Sequence, residues 1–262
     1  MVYVGTSGWQ YTHWKRIFYP QRLPQRAWLS YFAERFRTVE VNNTFYNLPA
    51  TSVFEQWKEA TPNDFIFALK LSRYLTHIKR LRDPAEPVHR FMERARALGE
   101  KCGPVLLQLP PSLEIDEGLL EKALSSFGPA VRVAVEFRHE SWFTPEVQSL
   151  LEKRRVALCL ADSPRRTQPR WRTADWAMVR FHEGRGGGAP GYGRDALRRW
   201  VLRIAETWGP GADVYVYFNN DTGGHALKDA VTFARLAESA GLNPTRVPVP
   251  AASSERRPRR LS

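Results

Sequence analysis

VRVAVEFRH, residues 131–139, carries the pattern from which the fold is read. It begins as a short β-branched apolar run, as a buried strand requires, and ends in charge. Side chains alternate faces along a strand, so a run led by Val133 or Ala134 brings Glu136 and Arg138 to one face at its end. The same design recurs outward from this stretch. VYVG at 2–5, TVEV at 38–41, DFIFALK at 64–70, GPVLLQL at 103–109, RVALCLA at 155–161, MVRFH at 178–182 and DVYVYF at 213–218 all read as short buried strands. Between most of them lie amphipathic stretches of helical period: 27–36, 86–99, 195–209 and 227–241. Eight strands alternating with helices predict an α/β fold, a single (β/α)8 TIM-barrel-like domain.

One register serves the second to seventh runs. Its members are Glu40 and Asn42; Ile66, Ala68 and Lys70; Leu106 and Gln108; Glu136 and Arg138; Leu158, Leu160 and Asp162; Met178, Arg180 and His182. Apolar residues come first and polar ones last. With the late residues turned inward, the carboxyl end of the barrel carries a polar ring, and that end is where such barrels keep their active sites. The competing reading is a mutually satisfied ion-pair layer without chemistry, because buried charges need partners wherever they occur.

Several motifs in order then resemble one family. GTSGW at 5–9, FYP at 18–20, VEVNNTFYNLP at 39–49, FALK at 67–70, GPVLLQLPP at 103–111, AVEFRHESW at 134–142, VRFH at 179–182 and YVYFNND at 215–221 are similar to the DUF72 (YecE-like) proteins over about residues 2–240. The resemblance implies a TIM-barrel-like fold, broadly like the sugar-isomerase and endonuclease IV barrels, and a site formed by Glu40, Asn42, Asn43, Tyr46, Lys70, Gln108, Glu136, Arg138, Trp142, Asp162, Arg180 and Asn219. The family carries a domain-of-unknown-function label, so it implies no settled activity, and the reaction has to come from the chemistry of the residues.

Composition agrees with one domain and a tail. With 262 residues, 43% of them hydrophobic, the chain can bury one barrel core. No apolar run approaches a membrane helix and none resembles a signal peptide, so the expected compartment is the cytoplasm, with no membrane partner. Cys102 and Cys159 are the two cysteines and are expected to be buried, inert thiols. Residues 243–262, NPTRVPVPAASSERRPRRLS, hold few large apolar side chains, which places the domain at 1–242 and predicts a disordered basic tail after it. The tail has five Arg and one Glu, leaving +8 of the +12 net charge on residues 1–242. A basic body favours an anionic partner, either nucleic acid or an anionic small molecule.

Aromatic residues crowd the segments after strands one, two and five. Trp9, Tyr11, Trp14, Phe18, Tyr19, Phe45, Tyr46, Trp142 and Phe143 are expected at the mouth, either as a stacking wall for a ligand or as plugs that close long loops. After strand seven, EGRGGGAPGYGRD at 183–195 packs six glycines between Gly184 and Gly193, flanked by Arg185 and Arg194. It lacks the Gly-Lys-Ser/Thr of a P-loop and reads as a lid, an anion-binding loop or a passive surface loop.

Roles follow from charge. Glu40, Glu136 and Asp162 are the candidate catalytic carboxylates, two in unlike surroundings being able to divide acid and base work. Lys70, Arg138 and Arg180 are candidates to hold an anionic substrate group. Trp9, Asn42, Asn43, Tyr46, Gln108, Trp142, His182 and Asn219 complete the candidate binding set, and the NND at 219–221 reads equally as a cap for the following helix. His13, His77, His89 and His225 are scattered with no metal-ligand spacing. Metal-independent catalysis is therefore expected, with one Mg or Mn ion between Glu136 and Asp162 as the alternative. The sequence thus points to a barrel enzyme working on an anionic, nucleotide-like or nucleic-acid substrate by acid/base or hydrolytic chemistry. A non-catalytic nucleic-acid-binding protein and a carbohydrate-processing enzyme are the alternatives.

Overall fold

The computed structural model describes residues 1–163, 168–184 and 190–249. Its strands are β1 Val2–Thr6, β2 Thr38–Val41, β3 Ile66–Lys70, β4 Cys102–Gln108, β5 Val133–Glu136, β6 Ala157–Leu158, β7 Leu160–Asp162, β8 Ala177–Phe181 and β9 Val214–Phe218. The helices are α1 Trp28–Arg35, α2 Asn43–Tyr46, α3 Thr51–Glu59, α4 Ala85–Ala95, α5 Glu117–Ser125, α6 Pro145–Arg154, α7 Arg194–Trp208 and α8 His225–Ser239. All strand pairings are parallel, as the alternation of strands with helices predicts.

The ladder runs as two sheets, β1-β9-β8-β7 and β2-β3-β4-β5-β6, instead of one ring of eight. They adjoin at two seams. At the first, Ser7 forms an isolated parallel bridge with Glu40. Gly5 belongs to this seam: a Cβ there would stand 2.4 Å from the Thr38 carbonyl oxygen, so only glycine lets β1 come this close to β2. At the second, the expected sixth strand is divided at Cys159, β6 pairing with β5 and β7 with β8.

Alternation along the strands sorts the apolar side chains into two layers. Val39, Val41, Val133, Val135, Val214 and Val216 belong to the larger cluster, shared with helical residues such as Phe32, Phe91, Leu120, Val201 and Phe233. Ala68, Leu106, Ala134, Cys159, Met178, Tyr215 and Tyr217 form a separate interior cluster. The helix-facing layer is covered by the amphipathic faces of α4, α7 and α8, found close to where the sequence period puts them. Caps end these elements as expected: Asp116 accepts the Leu119 amide at the start of α5, and Thr144 accepts that of Val147 at the start of α6, with Pro145 in its first turn.

The folded chain continues past Leu242, where the sequence places the domain boundary. Val2 N donates to the Asn243 carbonyl, Thr245 N to the Val2 carbonyl, and Val4 N to the Thr245 hydroxyl. Arg246 then grips Asp64 through two nitrogens at 2.5 and 3.0 Å. These residues are short on apolar surface, but β1 offers them a free edge of backbone donors and acceptors. The remainder of the expected tail, residues 250–262, lies outside the described residues, as do residues 185–189 of the glycine-rich connection. Among the described residues no helix is long and apolar enough to cross a membrane.

Candidate functional site at the carboxyl ends of the strands

Because the strands are parallel, the polar residues that end them meet at one end of the interior. Arg180, on β8, is the centre. It is 1% exposed and lies between two carboxylates that are themselves fully buried, Glu40 of β2 and Glu136 of β5. Its Nη1 donates to Glu136 Oε2 at 2.6 Å and its Nη2 to Glu40 Oε2 at 3.0 Å. Its Nε stands 2.6 Å from Glu40 Oε1 as an ion pair without hydrogen-bond alignment. Neighbouring side chains take the remaining carboxylate positions. Glu136 Oε1 accepts from Gln108 Nε2 at 2.9 Å and Arg138 Nε at 3.0 Å, Gln108 being its register partner on β4. Glu40 Oε2 accepts from the Ser7 hydroxyl at 2.5 Å and from Asn42 Nδ2 at 3.4 Å.

Burial alone would raise both carboxyl pKa values, but the Arg180 charge outweighs it and holds Glu40 and Glu136 below the usual carboxylate range. The same two charges push Arg180 upward against its own burial. Both glutamates are therefore ionised and paired with Arg180, and Glu136 accepts hydrogen bonds at both oxygens while Glu40 accepts them at Oε2. The expected division of acid and base work between Glu40 and Glu136 needs unlike surroundings, and the structure gives them alike ones.

Beside this cluster stands Lys70, the last residue of β3, 8% exposed. Its ammonium lies 4.1 Å from the centroid of the Phe45 ring and, among the described residues, donates to no oxygen. Burial first, then the positive charge of Arg180, pushes its pKa down to about 8, against the pull of Glu40 and Glu136. His182 follows β8, its Nε2 3.4 Å from Arg180 Nη1 and its Nδ1 3.1 Å from Asn219 Nδ2. Burial and Arg180 lower its pKa to about 4, so the imidazole is neutral at neutral pH.

Three sequence-selected residues are not in this group. Along β6 and β7, Leu158 and Leu160 belong to the helix-facing layer and Cys159 to the interior. Alternation thus sets Asp162 on the helix-facing side, where its carbonyl accepts the Tyr192 hydroxyl. The run alternates without interruption through Cys159 but with Ala157 and Cys159 inside, the opposite face to the one predicted. A Mg or Mn ion between Glu136 and Asp162 has no fit here, since the two face opposite ways and Glu136 is already filled by nitrogen donors. Trp9 is 5% exposed and packs edge-on against Trp57. Trp142 is fully buried, stacked on Phe137 with its indole N–H donating to the Leu113 carbonyl at 2.7 Å. Trp14 and Tyr19 are buried with them in the core. These rings close loops and are no ligand wall.

Tyr46 stays at the rim, 62% exposed and edge-on to Phe45, and Asn43 is exposed at the head of α2. The NND segment divides its work: Asn219 meets His182, while Asn220 donates to Asp229 at 2.7 Å and Asp221 receives the Trp14 indole N–H and faces His13 at 2.7 Å.

The structure adds two residues. Ser7 reaches Glu40, and the alternation Tyr3, Gly5, Ser7 along the first strand signals it. His77, in the turn after β3, lies edge-on to Phe45 at 5.0 Å. Burial and then the charge of Lys70 lower its pKa to about 4. Its local sequence gives no sign of this, because a helical turn returns it to the strand end.

With Asp162 gone from the ring, Lys70, Arg138 and Arg180 face Glu40 and Glu136 alone, an excess of one positive charge around neutral imidazoles. Among the described residues no three His, Cys, Asp or Glu side chains converge as a metal site.

The family model described as "Protein of unknown function DUF72" matches residues 3–254. The chain belongs to the DUF72 family. A DUF72 protein of Thermotoga maritima shares 31% identity and a TM-score of 0.81, the match covering 91% of this chain and 99% of that one. A second solved DUF72 protein, from Enterococcus faecalis, is 19% identical with a TM-score of 0.78 over 91% of this chain and 96% of its own, a likeness of fold alone. The UPF0759 protein YecE of Escherichia coli K12 is 31% identical over 169 residues, a stretch that spans 62% of this chain and 60% of YecE. The UPF0759 protein YunF of Bacillus subtilis is 25% identical over 281 residues, 93% of this chain and 98% of YunF.

Proposed function

We propose that this DUF72 protein is an enzyme that takes an anionic, nucleotide-like substrate at the carboxyl ends of its strands and works on it by acid/base chemistry. One observation carries the reading. Among the described residues Lys70 is a nearly buried cation without an oxygen partner, in a site where both carboxylates are already paired with Arg180. Leaving a charge so placed is unfavourable for folding, and an anionic group arriving beside it would relieve the cost. Arg138 supports it: among the described residues it bonds through Nε, and its two terminal nitrogens hold nothing. Proton transfer falls to Lys70 and to the imidazoles of His182 and His77, which their lowered pKa values keep neutral near pH 7. Glu40 and Glu136 hold the cations in place.

The test is thermal stabilisation by inorganic phosphate and by mononucleotides, compared between the wild-type protein and Lys70→Met. The wild type should be stabilised in a saturable way and the variant several-fold less at equal concentration. Equal stabilisation of the two proteins would refute the reading.

A single-stranded nucleic acid as the ligand is favoured by one further observation. Tyr46 and Tyr74 are 62% and 42% exposed, and Lys79 and Arg90 lie within 5.9 and 6.0 Å of the Tyr74 ring. Exposed rings beside cations suit stacked bases. Oligonucleotide anisotropy separates this case: binding should weaken steeply with salt and drop in Tyr46→Ala and Tyr74→Ala.

A further inference from the structure

We propose that Lys70 acts as a covalent amine, forming an imine with the carbonyl group of a substrate that also carries an anionic group. The inference rests on the anionic-substrate reading above and adds to it a reacting atom and a bond.

The placement is what imine chemistry requires. A lysine amine becomes a nucleophile when it is desolvated and set near other cations. Lys70 ends β3 on the face it shares with Ile66 and Ala68 of the interior, so its stem is held by a strand and not by a loop. The floor under its nitrogen is the Phe45 ring, which offers no hydrogen-bond acceptor to hold the proton. The two carboxylates that would otherwise pair with it are bound to Arg180, Arg138, Gln108 and Ser7. Arg180 and Arg138 add repulsion, and the resulting pKa of about 8 leaves a usable fraction of free amine near neutrality.

In the step itself the Lys70 lone pair attacks the carbonyl carbon, and the carbonyl π pair moves to oxygen, which takes a proton. The nitrogen gives up one proton to reach the carbinolamine, whose hydroxyl takes a second proton and leaves as water while the nitrogen releases its remaining proton. A C=N bond and one water replace the amine and the carbonyl, with no change in oxidation state. His77 is suited to carry these protons: it packs against the same Phe45 ring, it is neutral, and Lys70 is the charge that acts on it most. The terminal nitrogens of Arg138 are available for the anionic group. Arginine at position 70 would serve anion binding equally well; an amine with a lowered pKa is needed only for covalent chemistry or proton transfer.

The test uses the full-length protein and pyridoxal 5′-phosphate, an aldehyde that carries a phosphate. After incubation near pH 8 and borohydride reduction, peptide mapping should find the secondary-amine adduct on Lys70 ahead of the other seven of the eight lysines. Inorganic phosphate should slow its formation at least several-fold. Lys70→Arg should lose the adduct while keeping thermal stabilisation by phosphate, which also shows that the variant folds. Adducts confined to the exposed Lys58, Lys122, Lys153 and Lys228, with Lys70 unmodified, would overturn the proposal. If phosphate still stabilises the wild-type protein in that case, the anion site stands and only the covalent step falls. If phosphate has no effect either, the anionic-substrate reading falls with it.

Discussion

Two lysines in this protein are almost equally hidden from solvent and stand in opposite circumstances. Lys101 is 6% exposed and Lys70 is 8%. The Lys101 ammonium donates to the carbonyls of Lys58 and Thr61 at 2.5 and 2.6 Å and to the Thr61 hydroxyl at 3.2 Å, closing the carboxyl end of α3, where helical carbonyls lack partners. The Lys70 ammonium faces a ring and two guanidinium groups. Burial lowers the pKa of both. Exposure therefore does not set the two cations apart; partners do. A cation bonded by its own chain is committed to the fold, whereas one left unbonded at a strand end is available to a ligand.

That contrast can be broken by substitution. The largest effect is expected at Arg180, whose loss would strip Glu40 of its ion-pair partner and leave Glu136 with Arg138 alone. Arg180→Met should cost about 3–5 kcal/mol in urea denaturation, since both carboxylates keep their burial, Glu40 loses its paired cation and Glu136 loses one of two. A cost under about 1 kcal/mol would mean that unpaired charge is cheap here and that Lys70 signals nothing.

Next comes the pH profile. The folded pKa of His182 is about 4, below the ordinary 6.5, so the unfolded chain takes up a proton that the folded chain refuses. Stability should therefore fall as pH drops from about 6.5 toward 4, by roughly 2–3 kcal/mol if His182 alone carries the shift. His182→Asn should flatten that limb, and an unchanged slope would exclude His182 as its source.

Lys101→Met comes third. It strands two carbonyls and a hydroxyl and should destabilise the fold by about 1–3 kcal/mol. Lys70→Met should have the smallest effect and the opposite sign, leaving stability unchanged or raised by up to about 1 kcal/mol at pH 7, because it removes a buried charge without orphaning an acceptor. Its folded pKa lies below the unfolded 10.5, so wild-type stability should rise as pH climbs from about 8 toward 10.5, and the variant should lack that rise. If the two lysine variants lost stability equally, the distinction between them would collapse.

Much of this site is legible in the sequence because strand alternation is a local rule. Lys70, Gln108, Glu136 and Arg180 each stand two residues after an apolar neighbour of the interior, Glu40 stands between the helix-facing Val39 and Val41, and each reaches the interior as that spacing predicts. Asp162 follows the same rule on paper and misses, because this run is apolar on both faces and the small residues Ala157 and Cys159, not Leu158 and Leu160, turn to the interior. Trp9 and Trp142 show a second limit. An indole in a loop after a strand has the same sequence signature whether it faces a ligand or plugs the core, and only the surrounding packing distinguishes the two. His77 shows a third: no pattern in its own segment announces that the turn after β3 folds back over Phe45.

By itself the sequence determines the α/β class, the parallel strand order implied by intervening helices, the family and the end of the strands where polar groups collect. All of these follow from local periodicity and from motifs read in order. The tertiary structure decides which charges meet. It pairs Arg180 with both glutamates across 140 and 44 residues of chain, turns Asp162 away, and leaves Lys70 over a ring with no oxygen to bond among the described residues. Charge pairing depends on distance in space and on the exclusion of water, and neither is written in the spacing of residues along one strand.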